Sequence, residues 1–73
     1  VAAQIRAERG ASGLTQRETY EHAGLPKSTY IRLEQGTRVA DTTQIARLCT
    51  VWNLSLSEFF HRVEDRMTTS GRD

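Results

Sequence analysis

The sequence predicts an all-α fold, a compact set of five short helices. Three observations predict it: capping-box patterns open three segments, apolar residues recur at helical spacing, and no segment alternates as a half-buried strand would. Thr15-Gln16-Arg17-Glu18 and Ser55-Leu56-Ser57-Glu58 are capping boxes, and Asp41-Thr42-Thr43-Gln44 is a variant with Asp at the cap. In each, the short side chain can accept from the amide three residues on. The Glu or Gln can then reach back to the cap's own amide.

The elements follow in order. Ala2, Ile5 and Arg9 share a face of a first helix over about residues 2–11, which ends near Gly10–Gly13. A second helix spans about 15–23 and a third about 26–35. Gly24 breaks them, Pro26 occupies a first-turn position where its missing amide costs nothing, and Gly36 is a C-terminal cap. Ile45, Leu48, Cys49 and Trp52 form the apolar stripe of a fourth helix over about 42–52. Leu56, Phe59, Phe60 and Val63 do the same for a fifth over about 56–66, with Met67 in register to extend it. Residues 1–66 are expected to form one domain and residues 67–73, polar from Thr68 onward, a flexible tail. There is no internal repeat and no low-complexity tract.

Size and composition narrow the function. A chain of 73 residues has room for one domain and one modest core. With 37% hydrophobic and 26% charged residues it has a globular profile. No apolar run approaches the roughly 20 residues of a membrane span and no signal peptide opens the chain, so a cytoplasmic, nucleoid-associated protein is expected. The single cysteine, Cys49, fits a reducing compartment and is read as a buried, inert thiol. His22 and His61 lack partners at metal-ligand spacing, and no Gly-rich phosphate loop or nucleophile–base arrangement is visible. An enzyme, a metal, a cofactor, a small-molecule ligand and a membrane partner are therefore not expected. The net charge is +1, but it is unevenly placed: residues 1–40 carry six basic against four acidic side chains, residues 41–73 four against five.

Two short helices joined by a tight, glycine-containing turn are the helix-turn-helix pattern, here residues 15–36. The run LTQRETYEHAGLPKSTYIRLEQG resembles the lambda-repressor-like, Cro-type (XRE-like) helix-turn-helix domains of bacteria and phages. The matching residues are Leu14-Thr15-Gln16 at the second helix's start, Ala23-Gly24-Leu25 at the turn and Leu33-Glu34-Gln35-Gly36 at the end. Ile45-Ala46, Leu48 and Leu54-Ser55-Leu56-Ser57-Glu58 extend the resemblance, which covers about residues 5–60.

The resemblance implies a sequence-specific, double-stranded-DNA-binding transcriptional regulator, a repressor, with helix 26–35 in the major groove. Lys27, Ser28, Ile31, Arg32 and Gln35 are then the base-reading candidates. Lys27 and Arg32 can donate to guanine O6 and N7, and Ile31 can meet a thymine methyl. Gln16, Arg17, Thr29, Thr37 and Arg38 are the phosphate candidates, which set register rather than sequence preference. Taken alone, Lys27 and Arg32 read as a solvated helix face, and it is the motif around them that favours DNA contact. Arg9 and Glu34 occupy positions that in the family form a partly buried ion pair between the first helix and the reading helix.

The sequence departs from the family pattern where the second and third helices cross. Tyr20 stands at a position usually Ala, Tyr30 at one usually Val or Ile, and Thr19 at one usually apolar. Overpacking of this kind costs about 1–3 kcal/mol unless the interhelix angle opens or one ring turns out to water. The loop Thr37–Ala40 is also short for phage repressors of this type.

A domain of this size reads few base pairs, so a homodimer on an inverted-repeat operator is expected, with half-sites about one helical turn apart. Phe59, Phe60 and Val63 are the candidate dimer residues. The adjacent phenylalanines point about 100° apart, so one can close the core while the other faces a partner. The same residues also suit an antitoxin or a restriction controller, a protein-interaction module that keeps the fold without DNA binding, or the N-terminal fragment of a larger regulator.

Overall fold

A computed structural model describes the backbone of residues 1–70 and the side chains of residues 1–68. Among the described residues five helices follow one another: α1 (Ala2–Ser12), α2 (Gln16–Ala23), α3 (Lys27–Gln35), α4 (Thr42–Val51) and α5 (Leu56–Ser70). The described residues contain no strand.

The caps set the boundaries. Thr15 Oγ1 accepts from the Glu18 amide at 3.0 Å, and Glu18 Oε1 accepts from the Thr15 amide at 3.0 Å. Asp41 and Gln44 repeat this exchange at 2.7 and 3.0 Å. At α5 only half the box is closed. Ser55 Oγ accepts from the Glu58 amide at 3.0 Å, while the Glu58 carboxylate turns along the helix to Arg62 Nε at 3.2 Å. Pro26 is the N-cap of α3 rather than its first helical residue, with φ −62° and its carbonyl accepting from the Tyr30 amide at 3.0 Å.

Gly24 and Gly36 end the two helices of the motif in left-handed backbone, at φ 69° and 79°, which a residue without Cβ adopts at no steric cost. The amides that follow turn back into the helix: Leu25 N–H reaches the Tyr20 carbonyl at 2.9 Å and Thr37 N–H the Arg32 carbonyl at 3.1 Å.

The core is Ile5, Ala23, Tyr30, Leu33, Ile45, Leu48, Cys49 and Phe59, all buried, so every helix contributes at least one residue. α2 packs on α3 and α4, α1 on α3 and α5, and α4 on α5. Phe59 is wholly buried and stacks on Trp52 with ring centroids 6.3 Å apart. This corrects the assignment of Phe59 to a dimer surface. The roughly 100° between neighbouring side chains on a helix sends it into the core and leaves Phe60 43% exposed.

α5 also runs past its expected end at 66. Residues 67–70, expected to open the tail, are helical, and residues 71–73 lie outside the described residues. No helix among the described residues is long and apolar enough to cross a membrane.

Candidate nucleic-acid interface

α3 separates its side chains cleanly. At about 100° per residue, Lys27, Ile31, Gln35, Ser28 and Arg32 fall within an arc of about 140°. These five line one shallow surface depression. Four are exposed, and Ile31 is half-buried between them. The opposite arc holds Tyr30, Leu33 and Glu34, all buried. Core packing on one side thus orients a face of two cations, a hydroxyl, an amide and one apolar side chain on the other. Thr29, half-buried, lies on the boundary between the two arcs.

Glu34 borders the exposed arc and is held from several elements. Arg9 Nε of α1 donates to its Oε1 in an ion pair, with the carboxylate side chain 4% exposed and the guanidinium 27%. The Tyr30 hydroxyl also donates to Oε1, at 2.7 Å, and Gln16 Nε2 of α2 donates to Oε2 at 2.7 Å. Arg6 donates to the Glu34 backbone carbonyl at the end of α3, where a cation complements the helix dipole. Burial pushes the Glu34 carboxyl up, but the hydrogen bonds from Arg9, Gln16 and Tyr30 outweigh it and hold the group below the usual carboxylate range. Glu34 is therefore an anion tying α1 and α2 to the end of α3.

Tyr30 turns fully inward and uses its hydroxyl on Glu34, while the half-buried Tyr20 packs beside it with ring centroids 6.3 Å apart. Thr19 is fully buried, and its hydroxyl donates to the Thr15 carbonyl at 2.9 Å, so the polar atom at an apolar position has a partner. Burial, followed by the hydrogen bond to the Glu34 carboxylate, raises the Tyr30 phenol well above its ordinary value and keeps it a donor.

The other expected phosphate residues lie on α2 and in the loop after α3. Gln16 is exposed at the first position of α2, with its amide turned to Glu34. Arg17, beside it, is 78% exposed and reaches Glu21 at 2.7 Å. Thr37 and Arg38 are exposed in the loop that follows Gly36. His22 is exposed on α2, and His61 stands 3.6 Å from Asp65 within α5.

One polar cluster was not anticipated. Glu8, buried on α1, accepts Arg62 Nη1 of α5 at 2.8 Å on both oxygens, and also the Gln4 amide. Arg66 Nε donates to Gln4 Oε1 at 2.8 Å. The signal lay in two pairs four residues apart, Gln4/Glu8 and Arg62/Arg66, whose equal spacing lets two helices match rung for rung.

A family model for the helix-turn-helix domain matches residues 1–59. Comparison with curated proteins and with solved structures finds no significant match. The matched span holds all of α1 to α4 and the start of α5. The glycine turn at Gly24, the exposed face of α3 and the family match agree, and the chain belongs to the helix-turn-helix domain family, of the lambda-repressor-like type.

Proposed function

We propose that this domain is a sequence-specific double-stranded-DNA-binding transcriptional regulator of the repressor kind, which lays α3 in the major groove. The observation that carries the reading is the α3 face itself: Lys27, Ser28, Ile31, Arg32 and Gln35 together on one exposed arc. That set suits a groove floor. Arg and Lys donate to guanine O6 and N7, Gln can bind adenine at two points, and Ile31 offers an apolar contact to a thymine methyl. The family assignment supports the docking mode, in which the first helix of the pair crosses the backbone and the second reads bases.

Gln16, Arg17, Thr29, Thr37 and Arg38 take the phosphate role in this reading. Gln16 and Arg17 open α2, where helix-terminal amides favour an anion. Gln16 Nε2 carries two protons, so one can remain on Glu34 while the other meets a phosphate oxygen. One copy covers few base pairs, so two copies on an inverted repeat complete the reading. The exposed Phe60 with Val63 and Met67, which line one depression on α5, supports the face where those copies meet.

Selection of duplexes from a random pool tests this. An enriched inverted repeat, bound with an affinity that falls steeply with salt, is the expected result. No enriched sequence and no salt-sensitive binding to any duplex would overturn the reading.

A further inference from the structure

The two oxygens of Glu34 have separate partners. Oε1 receives Arg9 and the Tyr30 hydroxyl, and Oε2 receives the Gln16 amide. A carboxylate is planar, so fixing Oε1 from two directions also fixes where the lone pairs of Oε2 point. Arg9 alone constrains it loosely. Its side chain is partly exposed, and its Nη1 is also 3.4 Å from the Leu14 carbonyl. Tyr30 has no such freedom. Its ring is fully buried and packed against Tyr20, and its hydroxyl lies 2.7 Å from the carboxylate.

We propose that Tyr30 is a positioning residue whose hydroxyl, through Glu34, orients the Gln16 amide and so fixes the phosphate anchor of α2 against the reading face of α3. The inference rests on the assignment of Gln16 to phosphate made above. It gives the tyrosine at this helix crossing a task beyond filling volume. The relay runs from core to surface: Tyr30 and Glu34 lie four residues apart on the buried side of α3, and Gln16 lies exposed at the start of α2. The phosphate contact and the base contacts then approach DNA as one rigid unit, which reduces the ordering cost of binding.

Two readouts test it. In the free protein, the side-chain amide protons of Gln16 should exchange at least about tenfold more slowly than those of the exposed Gln35, and Tyr30→Phe should abolish the difference. Equal rates in the unsubstituted protein, or slow exchange that survives Tyr30→Phe, would overturn the proposal.

On the selected duplex, Gln16→Ala should weaken binding about tenfold and Tyr30→Phe nearly as much, with the double variant no weaker than Gln16→Ala. Additive losses, or a Tyr30→Phe variant that binds normally, would overturn the relay and leave the phosphate role of Gln16 standing. Unchanged binding by Gln16→Ala would overturn both. Should Tyr30→Phe fail to fold, equal exchange rates for Gln16 and Gln35 in the unsubstituted protein would still overturn the proposal.

Discussion

Glu8 on α1 and Arg62 on α5 meet with one guanidinium nitrogen 2.8 Å from both carboxylate oxygens. The Glu8 side chain is 8% exposed and that of Arg62 43%. The acid is thus desolvated while the base still sees water. Arg62→Ala leaves the buried carboxylate with Gln4 and should destabilise the domain, by less than the about 3–5 kcal/mol of a fully buried pair. For a domain of this size that lowers Tm by about 4–8 °C per kcal/mol, which thermal unfolding followed by circular dichroism measures. An unchanged Tm would show that the clamp contributes nothing to seating α5.

The Glu34 carboxyl makes the fold sensitive to acid. Its folded value lies below the ordinary 4.5 because the hydrogen bonds from Arg9, Gln16 and Tyr30 outweigh the opposing effect of burial. A group depressed in the folded state contributes stability that is fully present above its unfolded value and is lost as pH falls through its folded value. Unfolding free energy should therefore hold steady down to about pH 4.5 and decline below it. In Glu34→Gln that part of the decline should be missing, although the variant is less stable at neutral pH. Urea titrations at several pH values measure both, and an identical acid decline in the two proteins would contradict the assignment.

Arg32 carries the sharpest test of base reading. Arg32→Ala should cost about 1–3 kcal/mol on the selected duplex and relax preference at one base position. Competition against a panel of single-position variants measures this. A uniform loss on every sequence would move Arg32 to the phosphates.

The adjacent phenylalanines should behave oppositely. Phe59 is fully buried against Trp52, so Phe59→Ala should cost about 3–5 kcal/mol in urea unfolding and leave little folded protein. Phe60 is 43% exposed. Phe60→Ser should leave stability within about 1 kcal/mol while weakening self-association, measured by sedimentation with and without DNA. Wild-type assembly by the Phe60→Ser protein would remove this face from the proposed dimer.

Cys49 reports on global opening. Burial, then the nearby Glu8 carboxylate, raises its thiol above the ordinary value. The thiolate is the reactive form. A thiol reagent should therefore label the native protein at a rate set by unfolding, and at the rate of a free thiol in denaturant. Rapid labelling of the native protein would mean that the core opens locally at α4.

The fold was legible in the sequence because its signals are local. Thr15/Glu18 and Asp41/Gln44 close their boxes within four residues, and Gly24 and Gly36 mark left-handed turns that few other residues accept. The α3 face was legible because the family resemblance marked the reading helix, on which helical spacing groups Lys27, Ile31 and Arg32. Partners distant in sequence were harder to read. Arg62 and Glu8 are brought together only by the α1–α5 packing, and the inward-turned Tyr30 meets a carboxylate whose other partners, Arg9 and Gln16, come from α1 and α2. The division between Phe59 and Phe60 likewise needed the position of Trp52. Helical spacing predicts their divergence but not which ring faces inward.

The most direct measurement is amide chemical-shift mapping of the domain titrated with its selected duplex. The expected result is that the largest changes fall on the α3 face from Lys27 to Gln35 and on Gln16 and Arg17 at the start of α2, with α5 affected only where a second copy joins. Changes confined to α5, or none at salt concentrations where unrelated duplexes bind equally well, would contradict the placement of α3 in the groove.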